Sequence, residues 1–441
     1  MTEGRVRVAA RERVTGITDS LKTTFGFPAA LAMFVGLVAG FGLPSVDEWL
    51  DVSIPLFVFS TQDAARGMLE TIATVTVAVA GISFSVTVVA FTLSANQLSP
   101  LVLRSFRRDR ISQLTLAAFL GTFIYSLAVM VRLGALGPDR VPNLSISVAA
   151  LLALLSFGLF AWFIAHITSM LQPSSIIASI IDDARSDEGA PYPAGVGAGP
   201  DETSTTATIL VDGPGAPVRS ESEGFLTVVR GEEVIRLAQQ RDGIVRQRAR
   251  IGDYVLPGEE LAEAWTSSGR EASELADVLQ SCFELGRQRT LPMDPGFPVR
   301  QLADVALKGL SPGVNDPTTA QNAMDAMAAL LIRFAGFGAP SRVRTDESGS
   351  PRLLAEAPDL DDLVRLGFEQ VRVFAASDPA FLVRLLDLLA QLREVAKGRG
   401  LPHNEIDRQA SLIVDTAAAE LRPADLVTVR EAYVRLHGQR R

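Results

Sequence analysis

The chain has 441 residues, 48% of them hydrophobic, a formal net charge of −9 and a mean hydropathy of +0.24, which is more apolar than an average soluble protein. Its single cysteine, Cys282, excludes an internal disulfide, a cysteine-rich zinc site and an iron–sulfur cluster. The sequence predicts no cofactor, no metal site and no nucleic-acid partner.

The apolar residues are concentrated in the first third of the chain. Four segments without Lys, Arg, Asp or Glu each approach the ~20 residues that a helix needs to cross a bilayer: 27–43, 71–95, 114–131 and 144–165. Lipid offers the backbone no hydrogen-bond partners, so helices are the expected form. We therefore predict an α-helical integral membrane protein whose four transmembrane helices lie within residues 27–172, with the lipid bilayer as a partner.

Positive charge is distributed unevenly around these helices. Arginines and one lysine precede the first helix, and the loop 99–112 contains the basic run RSFRRDR. The loop 44–70 is mainly acidic, and the loop 132–143 has two arginines. Because Lys and Arg favour the cytoplasmic side, we predict that both termini are cytoplasmic in a bacterial plasma membrane. The first apolar run comes late and lacks a clear cleavage site, so it is interpreted as a retained helix, and residues 1–26 are interpreted as a cytoplasmic segment.

Two predicted helices carry small residues at helical spacing. In the first, Gly36 and Gly40 form a small-xxx-small pair that permits close helix contact, although glycine is also simply tolerated in membrane helices. The second helix has two stripes of small and hydroxyl residues. One stripe comprises Thr71, Thr74, Ala78, Gly81, Ser85, Thr92 and Asn96, and the other comprises Thr76, Ala80, Ser83, Thr87, Ala90 and Ser94.

The two stripes allow two interpretations. Small residues suit close packing on both sides of the helix, and hydroxyls can bond carbonyls of their own helix. Alternatively, one stripe lines a water-filled path. The candidate pore-lining residues are Thr74, Gly81, Ser85, Thr92 and Asn96. No charged residue lies in the middle of a predicted helix, which argues against a proton relay or a strongly charged filter.

The sequence that follows the four helices predicts a cytoplasmic α+β region. Residues 173–206 are rich in Gly, Pro, Ser and Thr towards their end and predict a linker. Apolar and polar residues alternate in 207–266, which predicts a small β-rich module. Its pattern Gly252-Asp253-x-Val255-x-x-Gly258-x-x-Leu261 resembles the turn-and-strand repeat of biotinyl/lipoyl-type domains. No lysine occupies a hairpin tip, so a structural module is favoured over a swinging arm.

In residues 267–441 the spacing of hydrophobic residues becomes helical, with leucine-rich faces at i, i+3, i+4 positions. This spacing predicts a helical domain. This domain contains LKGLSPGVNDPTTA, residues 307–320. Gly313 is expected to take a positive φ angle. Asn315 or Asp316 is expected to cap a helix that begins near Pro317. The motif therefore predicts a rigid corner between two helices.

The same corner has a functional alternative. Helix-N-terminal amides and nearby polar side chains could bind an anion or a partner, and Asp316 would disfavour a phosphate but could hold a cation. We expect the corner to cluster with the preceding polar residues. The candidate ligand or partner residues are Arg289, Asp294, Ser311, Asn315, Asp316, Thr318 and Thr319.

The motif SPGVNDP resembles the hallmark of a bacterial family of predicted membrane proteins, domain of unknown function 2254. The segments DAARGMLETIATVTVAVAGISFSVTVVAFTLSANQLSPLVLRSFRRDR, FLGTFIYSLAVM, FIAHITSMLQ and FELGRQRTLPMDPGFPVRQLADVALKGLSPGVNDPTTA resemble its other signatures in the same order. The family pattern has a glutamine where this chain has Met293 and an arginine where it has Lys308. The resemblance implies a membrane topology and no particular activity.

The functional prediction is a homo-oligomeric channel or transporter-like assembly, with ions as its expected partners and a cytoplasmic regulatory domain. Four helices are few for a monomeric carrier, which favours assembly of several copies. A membrane scaffold or sensor without transport is the first alternative. A membrane-associated enzyme is the second, and it lacks a recognisable catalytic motif: the sequence has no Gly-x-Ser-x-Gly, Walker loop or dinucleotide fingerprint.

Overall fold

A computed structural model describes residues 26–50, 61–97, 110–135, 140–170, 172–186, 214–267, 269–289, 294–337 and 342–438. The chain divides into two compact units, Met1–Ser175 and Ile176–Arg441, which we call the N-terminal unit and the C-terminal unit. The basic residues before residue 26, the run RSFRRDR up to residue 109, and residues 187–213 of the predicted linker and β-module lie outside the described residues.

The N-terminal unit contains the four predicted apolar helices, α1 (Phe27–Leu50), α2 (Gln62–Gln97), α3 (Arg110–Ala135) and α4 (Asn143–Met170). Each is long and apolar enough to cross a membrane. Helix α2 begins at Gln62, well before the predicted residue 71. Thr61 Oγ1 accepts a hydrogen bond from the Ala64 amide at 3.3 Å, and Asp63 lies in the positively polarised first turn. Polar residues predicted as loop therefore start this helix.

Helix α3 is the centre of the unit and contacts the other three helices. Its backbone approaches α1 at the predicted glycine pair. A Cβ atom at Gly36 would lie 2.5 Å from the Gly121 carbonyl oxygen, and one at Gly40 would lie 2.8 Å from the Tyr125 carbonyl oxygen. Only glycine permits these separations, so the packing interpretation of Gly36 and Gly40 is confirmed.

Polar contacts connect the helices inside the N-terminal unit. The Tyr125 hydroxyl on α3 donates to the Ser145 carbonyl on α4 at 3.0 Å. The Asp47 carboxylate on α1 accepts from the Ser145 amide at 3.2 Å, in the first turn of α4. The hydroxyls of Thr122 and Ser156 lie 3.2 Å apart between α3 and α4. These contacts satisfy polar groups that would be costly to leave unpaired away from water.

A helix, α5 (Pro173–Ser186), occupies the first part of the predicted linker. Its residues Ile176, Ile177 and Ile180 are buried. The isoleucines recur at helical spacing, so burial of one apolar face stabilises a helix here. The first part of the predicted linker, 173–186, therefore forms a helix.

The described part of the C-terminal unit contains two sheets. Their strands are β1 (Ala216–Arg219), β2 (Gly224–Val229), β3 (Ile244–Gln247), β4 (Tyr254–Val255), β5 (Glu260–Trp265), β6 (Phe283–Gly286), β7 (Val343–Thr345) and β8 (Pro351–Leu354). The order is β1-β5-β3-β8-β7 in one sheet and β4-β2-β6 in the other. The paired strands are antiparallel except β3 and β8, which are parallel.

The β-rich region extends beyond the predicted module 207–266, because β6, β7 and β8 come from later in the chain. Both sheets contribute to one apolar core that includes Leu226, Val255, Leu261 and Leu353. The inward orientation predicted for Val255 and Leu261 is confirmed. Gly252 and Gly258, at φ angles of 94° and 84°, form the predicted turns.

Eight helices of the C-terminal unit are described after residue 214: α6 (Gly231–Gln240), α7 (Gly269–Leu279), α8 (Gly296–Leu310), α9 (Pro317–Gly336), α10 (Leu360–Phe374), α11 (Pro379–Gly398), α12 (Asn404–Glu420) and α13 (Pro423–Leu436). Helix α8 packs against α9 and α10, and α11 packs against α9 and α13. Phe297, Phe368 and Leu385 are among the fully buried side chains of these helices.

Candidate functional site

A buried ion pair stands at the start of α8. Asp294 is 3% exposed. The Arg289 guanidinium donates to both of its oxygens, from Nε to Oδ2 at 2.8 Å and from Nη2 to Oδ1 at 2.9 Å. The amides of Gly296 and Phe297 donate to Oδ1 at 3.1 Å each. One carboxylate thus anchors an arginine and also accepts from two amides at a helix N-terminus, of which the Phe297 amide donates to the Asp294 carbonyl as well, at 3.1 Å.

Two opposing effects act on the pKa of Asp294. Burial raises this pKa above its ordinary value, while the Arg289 guanidinium and the two amides oppose the increase. All four hydrogen bonds are donated to the carboxyl group, and an ionised carboxylate can only accept hydrogen bonds. The hydrogen-bond geometry therefore fits the ionised form.

Gly252 brings the β3–β4 loop against this ion pair. A Cβ atom at Gly252 would lie 2.5 Å from Asp294 Oδ2 and 2.7 Å from Arg289 Nη2, and its φ angle of 94° also favours glycine. The loop, the end of β6 and the start of α8 consequently meet at one place.

A cavity of about 360 Å³ opens beside the ion pair. Its charged lining consists of four arginines, Arg250, Arg289, Arg300 and Arg365, and four acids, Asp253, Asp294, Asp362 and Glu369. Ile251, Pro358, Leu363 and Leu366 supply apolar surface. The volume falls in the range of small-molecule sites. Among the cavity residues, only Arg289 and Asp294 were predicted as site residues.

Ion pairs join the elements around the cavity. Arg250 in the β3–β4 loop donates to Asp362 on α10 at 2.8 Å, across 112 residues of sequence. Arg408 on α12 donates to Glu369 at 3.2 Å. Arg365, with a side chain 50% exposed, approaches Asp362 and Glu405 only to 3.7 Å. Most acids of the region are thus already held by arginine donors.

The predicted corner connects α8 and α9. Asp316 caps α9, because its carboxylate accepts from the Thr319 amide at 3.0 Å and from the Thr319 hydroxyl at 2.6 Å. These contacts lower the pKa of Asp316. The capping role is confirmed. The stabilisation from this ionised cap is present above the ordinary pKa and is lost as the pH falls through the lowered value.

The predicted positive φ angle at Gly313 was wrong: the left-handed residue of the corner is Asn315, at φ 49°. Asparagine is one of the few residues that tolerate this conformation. The Ser311 hydroxyl donates to the Lys308 carbonyl at 2.7 Å. Ser311 and Thr319 thus hydrogen-bond within the corner, and Thr318 is exposed. Ligand or partner binding at the corner stays a prediction.

The corner and the Arg289–Asp294 pair do not form one cluster. They lie at opposite ends of α8, which has 15 residues and hence a length of about 22 Å. The expectation that these polar residues meet was wrong, because the length of α8 separates them.

The two stripes of α2 have different environments. Thr76, Ala80, Ser83 and Ala90 are buried inside the N-terminal unit. On the other stripe the candidate pore-lining residues Thr74, Gly81, Ser85 and Thr92 are exposed, and the side chain of Asn96 lies outside the described residues. One stripe therefore packs within the chain, while the other is left uncovered by it.

The family model described as "Predicted membrane protein (DUF2254)" matches residues 22–391. The chain belongs to this family. Uncharacterized proteins of mycobacteria are similar: Rv1290c of Mycobacterium tuberculosis strain H37Rv and Mb1321c of Mycobacterium bovis are each 27% identical over 425 residues, covering 94% of this chain and 79% of theirs. No solved structure matches the chain.

The DUF2254 match contains the four apolar helices, the cavity lining and the corner, and it ends within α11. The sequence interpretation missed Arg250, Arg300, Arg365 and Asp362. Arg250 and Asp362 belong to different elements and meet only through the fold. The one local signal was Gly252, because glycine is used where the backbone approaches another group closely.

Within the DUF2254 corner, Gly309→Ala is expected to destabilise the C-terminal unit by about 1–3 kcal/mol, the usual cost of overpacking. A Cβ atom at Gly309 would lie 2.8 Å from the Asp316 carbonyl oxygen and 3.1 Å from the Ala320 amide nitrogen. Gly313→Ala is the matched control, because a Cβ atom there meets nothing within 4 Å. Thermal unfolding of both variants checks this expectation, and equal melting temperatures would contradict it.

Proposed function

We propose that this protein forms a homo-oligomeric channel or transporter-like assembly in the bacterial plasma membrane, with α2 of each copy next to a central axis. The observation that carries the proposal is the division of α2 into two stripes. One stripe is buried by the helices of the same chain, and the exposed one is available either to line a path or to contact another copy.

The exposed stripe suits a weakly selective path. Residues 71–97 contain no Lys, Arg, Asp or Glu. The Thr92 hydroxyl donates to the Val88 carbonyl at 2.7 Å, which satisfies its proton and leaves oxygen lone pairs for water or a cation. Val88, Val89 and Phe91 are exposed at the same level and could form an apolar constriction.

We place the C-terminal unit and both termini in the cytoplasm, on the asymmetry of Lys and Arg in the flanking segments. In this arrangement the C-terminal unit acts as a regulatory domain. The charged cavity beside the Arg289–Asp294 pair supports such a role. It equally favours a second candidate, a membrane-bound sensor without a pore.

Ion flux from liposomes tests the channel. Thr92→Leu is expected to reduce the flux about tenfold, equivalent to about 1.4 kcal/mol added to the barrier. Thr168→Leu on α4 is the matched control, since Thr168 is also exposed and its hydroxyl also bonds the carbonyl four residues earlier, that of Ile164, at 2.8 Å.

The control should conduct like the unmodified protein. Absence of flux from unmodified protein at every salt, pH and membrane tension, or equal reductions in Thr92→Leu and Thr168→Leu, would reject the channel and favour the sensor.

A further inference from the structure

We propose that the cavity beside the Arg289–Asp294 pair binds a small organic phosphate, with the phosphate held by arginine donors and the organic part against the apolar wall. This site lies entirely within the C-terminal unit. Its occupation does not require that α2 forms a pore, so binding and conduction can fail independently.

Arginines from three elements line the cavity. Arg250 comes from the β3–β4 loop, Arg300 from α8 and Arg365 from α10. A guanidinium has five N–H donors and no acceptor. Arg300 has one close carboxylate, Asp304, with Nε and Oδ1 3.1 Å apart. Arg365 approaches its acids only to 3.7 Å. Donors that converge from different elements suit the three terminal oxygens of a phosphate better than a planar carboxylate.

The acids of the cavity are engaged by the protein. Asp294 accepts from Arg289 and from two amides. Asp362 accepts from Arg250, and Asp253 accepts from the Arg250 amide at 2.8 Å. Glu369 accepts from Arg408. A ligand rich in acceptors therefore complements the remaining donors, whereas a cation would compete with these arginines for each carboxylate.

The apolar wall distinguishes an organic phosphate from a free phosphate ion. Ile251, Pro358 and Leu366 line the cavity together with the arginines. A volume of about 360 Å³ exceeds what inorganic phosphate fills. Apolar surface next to a few fixed polar groups is typical of sites that bind an amphipathic small molecule.

Calorimetric titration of the full-length protein in a nonionic detergent tests the proposal. The probe is phenyl phosphate, and inorganic phosphate and benzoate serve as partial ligands. Phenyl phosphate should bind saturably and more tightly than either of them. Arg365→Gln should weaken its binding about tenfold, the effect of losing one charge-assisted hydrogen bond. The melting temperature without ligand should stay unchanged, because the two ion pairs described for Arg365 are both 3.7 Å long and its side chain is 50% exposed.

Arg270→Gln is the charge-matched control, since the Arg270 side chain is 89% exposed and lies outside the cavity. It should bind phenyl phosphate like the unmodified protein. No saturable binding, tighter binding of benzoate, or equal weakening in Arg270→Gln and Arg365→Gln would overturn the proposal. Binding to phosphatidylglycerol vesicles without binding to phenyl phosphate would also overturn it and would assign the arginines to a lipid headgroup.

Discussion

Asp294→Ala is expected to destabilise the C-terminal unit by about 3 kcal/mol, at the lower end of the range for breaking a buried ion pair. The substitution leaves the Arg289 guanidinium without its carboxylate and the Gly296 amide without this side-chain acceptor. The Phe297 amide loses the carboxylate and keeps the main-chain carbonyl of residue 294, at 3.1 Å. The lower end applies because the Arg289 side chain is 21% exposed and can gain some water. Urea unfolding of the full-length protein measures the change, with hydrogen exchange of α8 amides as the local probe.

Two variants separate the causes of this loss. Asp294→Asn retains a carbonyl oxygen for the two amides and removes the charge, so a loss of about 1–2 kcal/mol is expected. Glu274→Ala breaks the exposed pair with Arg270 and should cost at most about 0.5 kcal/mol. An Asp294→Ala protein that unfolds at the same urea concentration as Glu274→Ala would show that the buried pair does not hold this region together.

Features set by neighbouring residues could be predicted from the sequence. The four apolar helices follow from uninterrupted hydrophobic composition. Asp316 at the cap of α9 follows from the preference of helix N-termini for aspartate before proline. Gly252 and Gly258 follow from their turn pattern. In each case the stabilising contact lies within a few residues, so the local sequence contains both partners.

The corner shows how a local pattern can identify a turn and still assign the wrong residue. Gly313 and Asn315 both tolerate a positive φ angle, and the sequence favoured the glycine. In the structure the amides of Val314 and Asn315 both donate to the Ser311 carbonyl, at 3.0 and 2.8 Å. The Asp316 amide donates to the Gly309 carbonyl at 2.8 Å. These bonds reverse the chain at Asn315, which therefore takes the left-handed conformation.

Features that depend on distant residues could not be predicted. Strand β8 pairs with β3 about a hundred residues earlier in the chain, and its four residues carry no periodic signal that points to that partner. The cavity has the same origin, because its arginines and acids come from the β3–β4 loop, from the segment between β6 and α8, and from α8 and α10. Of these residues, only Arg289 and Asp294 were predicted. Arg250 and Asp253 are also close in sequence, as are Asp362 and Arg365, but the contact that joins these two groups spans 112 residues.

Replacing Gly36 and Gly40 of α1 should produce the largest loss of stability in the N-terminal unit. Gly36→Ala and Gly40→Ala are each expected to destabilise the packing of α1 on α3 by about 1–3 kcal/mol, as for overpacking elsewhere. The new Cβ atom at 36 would lie 2.5 Å from the Gly121 carbonyl oxygen, and the one at 40 would lie 2.5 Å from the Ala128 Cβ atom. Backbone atoms cannot rotate away as a long side chain can, so the helices must separate.

Gly42→Ala gives the control in the same helix, because a Cβ atom at Gly42 meets nothing within 4 Å. Alanine is the better helix former by about 1 kcal/mol, so Gly42→Ala should be stabilising, opposite in sign to Gly36→Ala and Gly40→Ala. Thermal unfolding in detergent measures all three. If Gly36→Ala and Gly40→Ala are as stable as Gly42→Ala, then α1 does not approach α3 through these glycines, and helix propensity alone decides the result.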